Sequence, residues 1–136
     1  MRYLFDTNLC IAVMNGTASA YTLEMLRRFK VSGNEFLVSS VVLHELWYGV
    51  AKSQHAARNA ANLRKFLTGP VSELAFSSED GRVAGEIRAE LERRGTPIGP
   101  YDLLIAGQAL ARDLTLITAN TREFRRVSGL KLEDWS

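Results

Sequence analysis

Residues 99–120 read GPYDLLIAGQALARDLTLITAN, and the architecture can be built outward from them. Gly99-Pro100 opens a helix with proline at its first position, where a missing N–H costs nothing. The helix runs to about Asp113. Leu114-Thr115-Leu116-Ile117-Thr118 follows at once as a clear strand. A helix feeding directly into an apolar strand is the repeating unit of a parallel sheet covered on both faces. The rest of the chain repeats it. Residues 2–5 read as a short strand, followed by helices over roughly 7–14 and 18–32. Gly33-Asn34 breaks the second helix, and Phe36-Leu37-Val38 is the next strand. Ser39-Ser40 offers a cap for a helix to about Ser53, and another covers 54–68 up to Gly69-Pro70. Residues 71–76 form a weaker strand. Ser77-Ser78-Glu79-Asp80 looks like a capping-box start for a long helix ending at Gly95. Thr121-Arg122-Glu123-Phe124 makes a short helical turn, and Leu130-Lys131-Leu132 a last edge strand. The expected fold class is α/β, one domain over residues 1–136, with no internal repeat or linker.

Composition agrees. Of 136 residues, 46% are hydrophobic and 24% charged, which suits a folded globular chain rather than a disordered one. The apolar runs are too short to cross a bilayer, so no membrane partner is expected. Met1 is followed directly by a strand, without a signal-peptide pattern, and a cytoplasmic location is the expectation. The single Cys10 permits no internal disulfide and reads as a small buried hydrophobe.

Three acids stand where such a fold should not want them. Asp6 ends the apolar run Tyr3-Leu4-Phe5. Glu45 lies on a helical stripe with Val42, Leu46 and Gly49. Asp102 shares a stripe with Ile105, Ala106 and Ala109. Each has an ordinary reading: Asp6 as a helix cap, Glu45 as a surface residue, Asp102 as a first-turn acid favoured by the helix dipole. Yet in parallel sheets ligands bind beyond the carboxyl ends of the strands, and all three fall there. Clustered carboxylates repel one another unless a cation joins them, and hard cations such as Mg²⁺ or Mn²⁺ prefer oxygen ligands. Asn120 or Glu123, just after Thr118, would supply a fourth oxygen. A divalent ion among carboxylates is a standard device for hydrolysing phosphodiesters. Asp80 reads as a cap, Glu86, Glu90 and Glu92 as a solvated face, Asp113 as a helix end, and Glu133-Asp134 as a polar tail.

The formal net charge is only +2, but setting Asp6, Glu45, Asp102 and Glu123 aside from 15 acids leaves 11 against 17 Lys and Arg. The clusters Arg27-Arg28-Lys30, Arg64-Lys65, Arg93-Arg94 and Arg122-Arg125-Arg126 would then make the outer surface basic. Other chemistries fare worse. With two histidines, no zinc spacing exists, and no phosphate-binding glycine loop or nucleophile elbow appears. His44, beside Glu45, reads as structural or as a rim contact. A phosphoryl-accepting signalling domain needs paired acids after its first strand and a late lysine. Here Asp6 stands alone, and Ala119-Asn120 holds the late position.

Tyr3-Leu4-Phe5-Asp6-Thr7-Asn8, Ser39 to Glu45-Leu46 and Gly49, Ile98 to Ala106, Leu116 to Phe124 and Val127 to Trp135 together resemble the PIN-domain nucleases. More specifically, they resemble the VapC-type toxins of bacterial toxin–antitoxin systems. The resemblance implies a three-layer α/β/α sandwich with a central, mainly parallel sheet. It also implies an Mg²⁺- or Mn²⁺-dependent endoribonuclease toxin that cuts RNA, expected to be tRNA or rRNA, leaving a 5′-phosphate and a 3′-hydroxyl. Asp6, Glu45, Asp102 and Glu123 would be the catalytic and metal-ligating residues. Thr7, Asn8, Thr118 and Asn120 would support them. An antitoxin protein and a homodimer are the implied partners. The helices near Trp47-Tyr48 and Leu63-Phe66 are candidate docking surfaces, with core or dimer contact the alternative. A PIN-like domain that binds RNA without cutting it is the second reading, because Asn120 departs from the family pattern.

Overall fold

In the computed structural model, which describes residues 1–136 except for the side chain of Lys30, five strands form one sheet. They are β1 (Arg2–Phe5), β2 (Glu35–Ser39), β3 (Val71–Leu74), β4 (Thr115–Ile117) and β5 (Lys131–Glu133). Their order is β3-β2-β1-β4-β5, and every neighbouring pair is parallel. Eight helices connect them: α1 (Thr7–Asn15), α2 (Ala20–Arg27), α3 (Phe29–Ser32), α4 (Ser40–Lys52), α5 (Ala56–Leu67), α6 (Ser78–Arg93), α7 (Pro100–Ala111) and α8 (Thr121–Phe124). The chain is thus a three-layer α/β/α sandwich, and the sheet expected to be mainly parallel is wholly so.

The strands are short, and the middle ones are apolar on both faces. Leu4, Phe5, Val38, Leu116 and Ile117 are almost fully buried. Such continuous burial is what a parallel sheet under helices demands. The order of strands reverses between β1 and β4. Their carboxyl ends lie side by side, joined by the Asp6 N–H donating to the Ile117 carbonyl at 3.2 Å. A reversal of this kind leaves a crevice at the strand ends.

Two expectations change. The single helix over 18–32 is two helices, separated at Arg28, whose backbone (φ −94°, ψ 7°) leaves the helical region. No glycine or proline announces that break. The capping box at residues 77–80 forms as expected, Ser77 and Asp80 bonding each other's backbone N–H, but Asp80 does more than cap. Its side chain is fully buried and accepts from Arg112 Nε at 3.0 Å and Nη2 at 3.1 Å, and from Gln108 Nε2 at 3.3 Å. This ion pair ties the start of α6 to the end of α7. The two helices also meet without side-chain bulk between them. A Cβ on Gly107 would lie 2.6 Å from the Cβ of Ala84, so glycine is required by the close approach.

The last residues are fastened as well. Trp135 is buried among Tyr3, Phe5, Phe36 and Tyr21, with ring centroids 5.0–6.1 Å apart. Its carbonyl accepts from the hydroxyls of Ser19 and Thr22. No described helix is long and apolar enough to cross a membrane.

Candidate active site

The crevice between β1 and β4 gathers the four acids. Asp6 leaves the end of β1 and caps α1, its carboxylate accepting from the Leu9 N–H at 2.8 Å. The ordinary reading of Asp6 as a cap is therefore correct, and compatible with the other. It is 7% accessible. Burial raises its pKa, while hydrogen bonds from the Thr118 side chain and Leu9 oppose the rise and the nearby Asp134 charge adds to it. Glu45, in the second turn of α4, accepts from the Thr7 hydroxyl at 2.9 Å. Asp102 stands in the first turn of α7, where the helix dipole favours negative charge. Glu123, on α8, accepts from the Gly99 N–H at 2.8 Å and from the Asn120 side-chain amide at 2.9 Å.

These separate anchorages bring the charges within reach of each other. Asp102 feels it most: burial first, then the charges of Glu123, Glu45 and Asp6, push its pKa up to about 6. Glu123 moves the other way, held ionised by the Gly99 N–H and Asn120. The charge of Glu123 acts on Asp102, and Asn120 holds Glu123. Asn8 is exposed and lines a cavity of about 260 Å³ beside Asp6, together with Thr118, Asp134 and Trp135.

Two contributors were missed in the sequence. The Gly99 N–H points at Glu123 because the residue before Pro100 is extended (ψ 150°) and opens the helix. The only signal was Gly-Pro itself. Asp134 is an exposed residue of the polar tail as expected, but it also lines the cavity beside Asp6 and adds its charge there. Glu86, Glu90 and Glu92 form the expected solvated face, paired with Arg82, Arg93 and Arg88. That pairing corrects the basic clusters. Arg93 and Arg27 are spent on neighbouring glutamates, and Arg64 lies over the Trp47 ring. The Lys30 side chain lies outside the described residues. Arg126 acts on Glu123 through its charge and donates to the Pro97 carbonyl at 2.9 Å, while Arg122 and Arg125 are exposed on and just after α8.

A metal ion is tested by the donor set. Four carboxylates are hard oxygen donors, and their mutual repulsion at Asp102 is what a doubly charged cation relieves. In kind and charge the residues fit Mg²⁺ or Mn²⁺. Among the described residues no three Asp, Glu, His or Cys side chains stand as a ready-made ligand group. Glu45 and Glu123 are held in hydrogen bonds with Thr7, Gly99 and Asn120.

The PIN-domain family model matches residues 3–130. The tRNA(fMet)-specific endonuclease VapC of Shigella flexneri is 42% identical over the whole chain and 99% of its own length. Ribonuclease VapC2 of Rickettsia felis is 41% identical over 99% of this chain and 98% of its own. Among solved structures, VapBC2 of Rickettsia felis bound to a promoter DNA fragment superposes with a TM-score of 0.90 at 39% identity, covering both chains fully. DNA-bound VapBC of Salmonella typhimurium gives 0.89 at 38% identity, covering all of this chain and 99% of that one.

Proposed function

The chain belongs to the PIN-domain family, in its VapC branch of toxin ribonucleases, and from that premise we propose that it is a metal-dependent endoribonuclease acting on tRNA(fMet). The observation that carries the reading is the convergence on Asp102 of the charges of Glu123, Glu45 and Asp6 at the strand ends, where burial and these charges push it up to about 6. The relatives named for tRNA(fMet) span the full chain at 38–42% identity and support the substrate.

The four acids would hold Mg²⁺ or Mn²⁺, which supplies charge neutralisation for the phosphate and a more acidic water. The chain's own residues set the stage. Thr7, Thr118 and Asn120 fix the carboxylates through hydrogen bonds. Four carboxylates repel an RNA phosphate, so the crevice alone is hostile to substrate and a cation is required for binding as well as for chemistry. Arg122 and Arg125, exposed on and just after α8, would attract the RNA backbone. Purified protein incubated with a tRNA(fMet) transcript should cut it at discrete sites in Mg²⁺ or Mn²⁺, leaving 5′-phosphates, and stop when a chelator is added. Cleavage that persists in chelator would remove the metal. RNA binding without cleavage would favour the non-cutting PIN-like reading.

The neighbouring VapBC structures are toxin–antitoxin complexes, and an antitoxin partner is proposed for this chain too. A groove of about 260 Å³ between α1, α4 and α5 is lined by Ile11, Met14, Leu46, Gly49 and Leu63, and by Glu45 itself. A peptide laid along it reaches the acids, where an Arg or Lys would compete for the carboxylates. The groove refines the two stretches expected from the sequence: Leu63 is core at its floor, and Trp47 is half-buried under Arg64. A Cβ on Gly49 meets nothing within 4 Å. Gly49→Phe should therefore fill the groove without disturbing the core and weaken neutralisation by the antitoxin at least about tenfold, read by titrating antitoxin against cleavage. Unchanged inhibition would place the peptide elsewhere. A homodimer is proposed on the family resemblance.

A further inference from the structure

The lip of the crevice is built by the neighbours of two of its acids. On α4 His44 precedes Glu45, and on α7 Tyr101 precedes Asp102. Adjacent residues of a helix point about 100° apart. When the carboxylates turn inward, the rings before them fall at the edge. The rings meet there: His44 Nε2 lies 3.3 Å from the Tyr101 hydroxyl, the centroids are 5.7 Å apart and the planes are tilted by 49°. Both residues are exposed, Tyr101 at 43% of its surface, and neither belongs to the core. The contact therefore does little for packing. It holds an aromatic ring at a fixed place in solvent, across the same two helices that carry Glu45 and Asp102.

We propose that Tyr101, steadied by His44, stacks an unpaired RNA base beside the phosphate to be cut, so that the nuclease demands a base at one defined position next to the break. The inference rests on the ribonuclease reading above and deepens it. Unpaired bases splayed from a loop are recognised chiefly by stacking on aromatic rings. A neutral stack is also the suitable grip here, because the backbone phosphates are repelled by the crevice that must receive one of them.

The test uses full-length protein and a tRNA(fMet) transcript whose cut site is first mapped with wild type in Mg²⁺. Abasic nucleotides are then placed in turn on either side of the cut, and Tyr101→Ala, Tyr101→Phe and His44→Ala are compared. Tyr101→Ala should lower kcat/KM at least about tenfold with an unchanged melting temperature, whereas Tyr101→Phe, which keeps the ring, should stay within about threefold. One abasic position should cost wild type a similar factor and cost Tyr101→Ala little more, the non-additivity of two groups that touch. Losses that multiply, indifference of wild type to every abasic position, or a Phe variant as poor as Ala would each overturn the stack. The abasic series on wild type decides even if Tyr101→Ala folds badly. Failure of wild type to cut the unmodified transcript is a different result and overturns the parent reading.

Discussion

Asp102→Asn should lose cleavage by about two to three orders of magnitude and, without added metal, melt at a higher temperature than the wild type. The loss is that of a charged group aimed at the reacting phosphate and its cation. The gain follows from the sign of the pKa shift. Burial and the charges of Glu123, Glu45 and Asp6 raise Asp102 to about 6 from an ordinary 3.8. Ionising it is therefore costlier in the folded chain than in the unfolded one. The penalty is absent below the unfolded value and complete above the folded one, so it is felt in full at neutral pH. Asp102 is only half-buried, and solvent screening reduces the effect to about 1 kcal/mol, or roughly 3 °C for a chain of this size. Mg²⁺ should then raise the melting temperature of the wild type more than that of the variant. Retained cleavage, or a variant that melts lower in the absence of metal, would remove Asp102 from the anionic cluster.

Arg112→Ala should destabilise the protein by about 3 kcal/mol, because it leaves the carboxylate of Asp80 buried without its cation. Urea unfolding at neutral pH measures this. The pH dependence identifies the cause. Burial pushes the Asp80 pKa up, but Arg112 and Ser77 outweigh it and hold the pKa below its ordinary value. The stability this confers is present above the unfolded pKa of about 4 and lost as pH falls through the lower folded value. In the variant, burial prevails and Asp80 takes up its proton earlier. The gap between wild type and variant should be widest near neutrality and narrow below about pH 4. A gap that does not change with pH would show that Arg112 acts through packing of its stem alone.

The chain's layers and three of its acids were legible because each leaves a local mark. Asp6 ends an apolar strand, Glu45 interrupts an apolar stripe, and Asp102 opens a helix behind Gly-Pro. The fourth position was less legible: Asn120 and Glu123 are one helical turn apart, and only the fold shows that one holds the other. The Asp80–Arg112 pair was hidden because its local explanation, a capping box, was correct and complete in itself. Nothing near Asp80 announces a partner 32 residues away. The nearness of Asp134, an exposed tail residue as expected, to Asp6 was hidden in the same way. Its place beside Asp6 comes from β5 pairing with β4, a long-range event that no spacing within the tail encodes.

The fastening of Trp135 has a practical consequence for anyone handling the protein. Parallel strands send all their carboxyl ends one way, and Ser136 lines the same cavity as Asp6. An affinity tag or reporter joined after Ser136 would therefore hang beside Asp6, at the end of the sheet that carries the proposed site. One placed ahead of Met1 starts from the far rim of the sheet and leaves that end clear.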